Sequence, residues 1–344
     1  MSAGLVATAL FIAGCTAPAV PSAQGPGASS PVPASASATP AGSASPSPAR
    51  VAPPPTAPTP IALPTFAQLS VPSTSVVWVL VGGMRLFRSA DRGDTWVERT
   101  TPSNAANIRI SFLDDREGWL LSGGSGQTPC PAETVTIWHT TDGAATWVET
   151  GTAGIAEAGC KGGISAVGPT TALMGLAGEA QAGSLYRTTD GGRSWELTGA
   201  LPEPPGSSRA ADVRYWTGPV HRFGPALLVT LERQATAGGT ISVYRSLDEG
   251  RSWAYLATLP TAVRPGFVTA ARWVQLLVPG QSQETTDSGA TWHPLASDYG
   301  QAAPYAPQVE FGDSQTGYAT VRGAIQRSLD GAAHWTGLRT PGTR

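Results

Sequence analysis

From about residue 65 onward, apolar and polar positions alternate over short runs separated by turn-forming residues. IRISF (108–112), GWLLS (118–122), TIWHT (136–140) and TWVET (146–150) are rich in β-branched and aromatic side chains. Such runs read as half-buried strands, and four in succession predict one four-stranded antiparallel unit. Part of this unit recurs: Phe112-x-Asp114 followed by Gly118-Trp119 returns as Phe311-x-Asp313 followed by Gly317-Tyr318. Six full sets of strands fit between Phe66 and Arg339. The pattern therefore predicts an all-β chain of six such units, or seven if a degenerate unit lies in the long interval 196–245.

The connections repeat more strictly than the strands. SADRGDTW (89–96), TTDGAATW (140–147), TTDGGRSW (188–195), SLDEGRSW (246–253), TTDSGATW (285–292) and SLDGAAHW (328–335) share the frame Ser/Thr-x-Asp-x-Gly-x-Thr/Ser-Trp. An Asp carboxylate in such a frame accepts hydrogen bonds from backbone N–H groups just ahead of it, closing an Asx-type turn. Gly supplies positive φ, and Trp starts the returning strand while burying a large ring. Ala144 and Ala332 stand where the other copies have Gly, which predicts looser or shifted turns there. His334 replaces the hydroxyl residue of the sixth copy.

These turns resemble the Asp-box, or BNR, repeats of sialidases, sortilin-type receptors, xyloglucan-degrading glycosidases and the photosystem II assembly propeller. The resemblance covers about 66–344 and implies a β-propeller of four-stranded antiparallel blades. In that family the box joins the third and fourth strands of a blade, on the face opposite the active site. It implies a structural role for Asp91, Trp96, Asp142, Trp147, Asp190, Trp195, Asp248, Trp253, Asp287, Trp292, Asp330 and Trp335.

Ahead of the repeats the pattern changes. Leu5 to Gly14 is a short apolar stretch ending at Cys15, and Ile12-Ala13-Gly14-Cys15 resembles a bacterial lipobox. That resemblance implies export and lipidation of Cys15, although no Lys or Arg precedes it. Residues 16–64 hold 14 Pro, much Ala and Ser, and one charged side chain, Arg50. They have too little apolar bulk to offset ordering entropy, which predicts a disordered, extended linker. At about 3.1 Å per residue it reaches roughly 150 Å at most. The expected organisation is an export signal over 1–15, a linker over 16–64 and a propeller over 65–344, in a membrane-anchored or secreted protein of the bacterial envelope.

Composition narrows the function. A net charge of −2 over 344 residues leaves no basic excess for nucleic acid. The 41 Gly and 31 Pro argue against a helical bundle, and no apolar run is long enough to span a bilayer as a helix. There is no Gly-x-Ser-x-Gly, no His-Glu-x-x-His, no P-loop and no cofactor motif. His139, His221, His293 and His334 are scattered, and the first and third read as structural. The sialidase Phe/Tyr-Arg-Ile-Pro motif is missing, and the chain is too short for the two large propellers of the xyloglucan enzymes.

The blade layout places the longest loops on the face away from the boxes. They carry Glu133, Glu157, Lys161, Glu203, Arg209, Asp212, Arg264, Asp298, Tyr299 and Tyr305, while Arg109 and Arg214 near the starts of innermost strands could face the central channel. The same layout brings Cys130 and Cys160 together, as a disulfide or, alternatively, part of a metal site. The resulting reading is a monomeric, non-catalytic binding or assembly scaffold without a metal or cofactor, holding a protein or glycan ligand on that face. A sialidase-like glycoside hydrolase and a carbohydrate-binding lectin with exposed tyrosines are the alternatives.

Overall fold

The short alternating runs become 24 strands, with no helix among the described residues. The computed structural model describes residues 67–102, 108–123, 133–178, 183–207, 213–235, 238–300, 307–321 and 324–339, all within the unit Thr56–Arg344.

The strands fall into antiparallel meanders of four. The first contains β1 (Ala67–Ser70), β2 (Val77–Val81), β3 (Arg85–Ser89) and β4 (Val97–Arg99). The second contains β5 (Arg109–Phe112), β6 (Gly118–Gly123), β7 (Val135–Thr140) and β8 (Val148–Glu149). The third contains β9 (Cys160–Ala166), β10 (Ala172–Gly178), β11 (Leu185–Thr188) and β12 (Glu196–Leu197). The fourth contains β13 (Arg214–Phe223), β14 (Ala226–Ala235), β15 (Gly238–Ser246) and β16 (Ala254–Thr258). The fifth contains β17 (Gly266–Phe267), β18 (Trp273–Gln275), β19 (Gln283–Thr285) and β20 (His293–Pro294). The sixth contains β21 (Gln308–Phe311), β22 (Gly317–Val321), β23 (Ala324–Ser328) and β24 (Thr336–Leu338). The third and fourth meanders join into one eight-stranded sheet, because β10 pairs with β13 through Ala177↔Trp216 and Gly178↔Tyr215. The described part of 196–245 is used by the unusually long β13, β14 and β15.

A separate apolar cluster fills each space between successive meanders. Trp78, Leu80 and Leu86 meet Ile110, Phe112 and Leu120, and Trp119 and Ile137 meet Ile164, Met174 and Tyr186. The series continues until Val77, Val79 and Phe87 of the first meander meet Tyr318 and Ile325 of the sixth. The last meander thus returns to the first, and the strands close a ring with β1, β5, β9, β13, β17 and β21 innermost. Side chains stitch these inner strands where no ladder runs. Ser70 Oγ accepts from Phe112 N, Ser111 Oγ from Ala166 N and Ser165 Oγ from Val220 N, each at 2.9 Å. Gln308 spans the closing gap, accepting from Leu69 N at 2.9 Å and donating to Leu69 O at 3.0 Å.

The six repeated turns join third to fourth strands and share one hydrogen-bond pattern. In the first, Ser89 donates to Asp91 Oδ1 and accepts from Gly93 N, both at 2.7 Å, while Thr95 gives its N–H to Oδ1 at 2.8 Å and its hydroxyl to Oδ2 at 2.5 Å. These bonds, the Thr95 hydroxyl first, hold the Asp91 carboxyl down at about 2. The residue after the Asp donates to the connection between the first two strands of the same meander, as in Arg92 N to Ser75 O and Gly143 N to Arg116 O. Both kinds of connection therefore share a face. Ala144 and Ala332 do not loosen or shift their turns. Their N–H groups reach Thr140 at 3.0 Å and Ser328 at 2.9 Å as the glycines do. Both positions after the Asp have positive φ in every copy, so Gly143 and Gly331 place the glycine one residue earlier while Ala144 and Ala332 adopt φ of 61° and 83°. In the sixth turn His334 Nδ1 takes the place of the hydroxyl, 2.6 Å from Asp330 Oδ2.

Candidate functional site

The inner strands enclose a cavity of about 790 Å³, within the usual range for a ligand site. Its wall is assembled from residues distant in sequence: Gln68 on β1, Arg109 on β5, Gly162 and Gly163 on β9, Trp216 and His221 on β13, Phe267 on β17, and Gln308 and Glu310 on β21. Thr230 and Glu232 of β14 and Arg264 ahead of β17 complete the polar lining.

Most of these groups are already engaged. Arg264 donates to Glu232 at 3.1 Å. Glu310 accepts from Gln308 Nε2 at 3.0 Å and lies 3.5 Å from His221 Nδ1. Because β17 is two residues long, this last contact reaches from the fourth meander to the sixth past Phe267, whose ring centroid is 5.0 Å from that of His221. Thr217 and Thr320 donate to the carbonyls of Leu176 and Ala324.

Arg109 is the exception. Its guanidinium donates to Ile108 O at 3.1 Å and meets no carboxylate among the described residues. Burial pushes its pKa down, yet a guanidinium stays protonated at neutral pH. Among the described residues the cavity therefore holds one cation without a counter-charge. Trp216 is half-buried, and its indole N–H meets no acceptor among the described residues.

Other candidates from the loops serve the fold instead. Glu133 accepts from Lys161 N at 2.6 Å, and Glu133 N donates to Glu157 O at 2.8 Å. Lys161 is buried, with Nζ donating to the carbonyls of Glu157, Ala158 and Gly159 at 2.7, 3.1 and 2.9 Å. Glu133 and Lys161 lock one crossing loop, because a buried ammonium must find acceptors, whereas Glu157 joins only through its backbone carbonyl and is exposed. Arg214 is exposed at the start of β13 and does not line the cavity.

Asp298 and Tyr299 do not face away from the turns. Asp298 accepts from Trp335 N at 2.8 Å, and Tyr299 is buried with its ring 5.4 Å from that of Trp335. Burial pushes the Tyr299 phenol up to about 12. The chain leaving each outer strand runs beside the next turn, where Trp147 donates to Thr100 O and Trp195 to Gly151 O. Cys160 is disulfide-bonded. Cys15, Cys130, Arg209, Asp212 and Tyr305 lie outside the described residues.

No family model and no curated protein matches the chain. Among solved structures, a protein of unknown function from Dyadobacter fermentans aligns over 82% of this chain and 96% of its own, with a TM-score of 0.51 at 13% identity. The fold is a β-propeller. Two further propellers are similar at lower scores. The YCF48 protein bound to a D1 peptide aligns over 81% of this chain and 99% of its own, with a TM-score of 0.43 at 18% identity. The Hadza microbial sialidase Hz136 aligns over 81% of this chain and 66% of its own, with a TM-score of 0.49 at 12% identity.

In this propeller the described cavity wall has two arginines, Arg109 and Arg264, and no tyrosine. Trp216, Glu232, Gln308 and Glu310 are not among the residues singled out from sequence, and His221 figures there only as one of four scattered histidines. Three lie in the fourth blade and two in the sixth, and no motif spacing links them. Trp216, His221, Gln308 and Glu310 share a place on innermost strands, while Glu232 lies on β14.

Proposed function

We propose that this propeller is a non-catalytic binding or assembly scaffold whose ligand enters the central cavity. Six blades form the ring, and the Asp-box turns secure the face that does not bind. The observation that carries this reading is the cavity itself: Glu232 is occupied by Arg264, and Glu310 by Gln308 and His221, while Arg109 and Trp216 remain available. Carboxylates already tied to fixed partners suit holding a ligand better than moving a proton.

The second part of the proposal is location. The protein is exported, carries lipid on Cys15, bridges Cys130 to Cys160, and is held from the envelope membrane by its Pro/Ala/Ser linker as a monomer. The motif at 12–15 and the composition of 16–64 support this reading.

Two measurements test the whole. Labelled palmitate is incorporated into the wild-type chain and lost with Cys15→Ser, and globomycin leaves a larger, uncleaved chain; labelling unchanged by Cys15→Ser, or a size and location unchanged by globomycin, removes the anchor. Immobilised full chain captures an envelope ligand that Gly163→Leu releases, because Gly163 lines the cavity and a Cβ there meets nothing within 4 Å. Capture unaffected by that substitution overturns the cavity as the site. Turnover of a sialoside or a polysaccharide overturns the non-catalytic reading.

A further inference from the structure

The repeats begin on the wall of the cavity. Ala67 and Gln68, the first residues of β1, both line it. Gln68 accepts from Ile110 N at 3.2 Å and donates to Ile110 O at 3.4 Å, so the chain enters β1 beside Arg109. It enters at the end away from the repeated turns, because the connection that follows β1 holds Ser75 against Arg92 of the first turn. We propose that residues 58–64 (PTPIALP), the stretch just ahead of this entry, occupy the cavity in the unliganded chain and are displaced by its ligand. This rests on the reading of the cavity as the ligand site and adds a competitor for it from the same chain.

The balance of donors and acceptors carries the match. Arg109, beyond its bond to Ile108 O, and the indole N–H of Trp216 are donors without a partner among the described residues. The acceptors beside them are taken: Glu232 by Arg264, Glu310 by Gln308, and the amide oxygens of Gln68 and Gln308 by Ile110 N and Leu69 N. An occupant of such a wall should bring carbonyls and few N–H groups, since each N–H carried in needs an acceptor. Residues 58–64 have seven carbonyls against four N–H groups, because Pro58, Pro60 and Pro64 have none.

The segment is uncharged, and cations elsewhere in the ring are already held by main-chain oxygen. Lys161 rests on three carbonyls of the loop just before it. Arg272 donates to Gly331 O at 2.9 Å and Arg327 to Arg92 O at 2.7 Å. Arg109 completes its shell in the same way, from the residues that precede β1.

Shape and reach agree with this. Pro-rich segments hold an extended left-handed helix and pack their rings on aromatic side chains. Trp216 offers a half-buried indole beside Pro219 and Pro265, and Gly162, Gly163 and Gly218 keep that wall low. At about 3.1 Å per residue, seven residues extend about 22 Å, and Thr65 and Phe66 are left to turn back towards Ala67. A segment joined this closely meets the cavity at an effective concentration in the millimolar range. A contact too weak to hold a separate peptide therefore suffices, and the ligand's apparent affinity falls by the fraction of time the segment is in place.

The test uses the full chain. A photocrosslinking p-benzoylphenylalanine introduced at Leu63 should crosslink within one molecule to peptides containing Gly163 or Trp216. Elastase should cut the wild-type chain at 61–63 at least threefold more slowly than it cuts a synthetic peptide of residues 56–66. Gly163→Leu and Trp216→Ala should each remove both the crosslink and the protection. In a second full chain, residues 58–64 are replaced by Gly and Ser. Calorimetry should show the synthetic peptide binding this chain, and the wild type at least threefold more weakly. Crosslinks to another surface or between molecules, cleavage at the rate of the free peptide, or a Gly/Ser chain that ignores the peptide overturns the proposal. The Gly/Ser chain should also capture at least threefold more envelope ligand when ligand is limiting. Unchanged capture that Gly163→Leu still abolishes overturns the competition. If capture ignores Gly163→Leu while the crosslink to the cavity stands, the ligand reading of the cavity fails and its occupancy by 58–64 does not.

Discussion

Two junctions in the ring do the same job by different means. Between the third and fourth blades, β10 and β13 pair through their backbones, and Ser165 Oγ adds its bond to Val220 N. Between the sixth and first blades no ladder runs among the described residues. The junction rests on the Val77–Tyr318 cluster, on Gln308 gripping both backbone groups of Leu69, on Thr74 donating to Asp313 at 3.0 Å, and on Arg327 donating to Arg92 O at 2.7 Å. Backbone pairing tolerates most substitutions because it uses atoms every residue has. A junction built from side chains depends on the particular residues that supply them. Stability should therefore respond to substitution more sharply at the closing junction than at the continuous sheet.

The largest effect should come from Gly312→Ala, whose Cβ would stand 2.3 Å from Ser73 O across the closing junction. Backbone cannot yield as a side chain can, so a loss of about 3 kcal/mol is expected in denaturant unfolding. A loss below about 1 kcal/mol would show that the junction gives way freely. Gln308→Ala should cost about 2 kcal/mol by removing both part-buried hydrogen bonds to Leu69 together with the one to Glu310. By comparison, Ser165→Ala, which leaves the β10–β13 ladder intact, should cost about 1 kcal/mol. If the two variants unfold at the same urea concentration, the contrast between the junctions is wrong.

A smaller effect separates the sixth turn from the other five. All six aspartates are held down at about 2, chiefly by hydrogen bonds from the residue four places on. Their contribution is complete above the unfolded pKa of about 3.9 and is lost as pH falls towards 2. His334 behaves oppositely: Asp330 raises its pKa, so its contribution is complete below the unfolded value of about 6.5 and is lost as pH rises through the raised one. Melting temperatures should therefore fall slightly between pH 6 and pH 9, and His334→Thr should flatten that slope. An unchanged slope in the variant would mean that the exposed pair contributes nothing measurable.

Much of this was legible in the sequence wherever the causes are local. The second blade's strands fall within a residue or two of the alternating runs, except that Thr146 and Trp147 belong to the turn and β8 is only Val148–Glu149. The turns were readable nearly atom by atom, because Asp, hydroxyl and Gly act on neighbours within four residues. The displaced glycine at Gly143 and Gly331 was misread, since two consecutive residues need positive φ and either can supply the glycine. The site was far less legible. Lys161 is an ordinary loop lysine in sequence and a buried cap in space, and Asp298 turns towards Trp335, 37 residues away. Arg109, Trp216 and Glu310 meet only because three innermost strands converge on one axis.

The absence of a strand common to the first and sixth blades has a consequence for how the gene could be rearranged. Each blade is encoded as one uninterrupted stretch, so no blade needs the two ends of the chain to be brought together before it can form. Joining the old ends with a short loop and opening the chain between β8 and β9 would leave every ladder with its original partners. Opening it between β12 and β13 would instead turn the junction that shares the β10–β13 ladder into the closing step. The ring fixes the order of its blades but not the place where the chain has to begin.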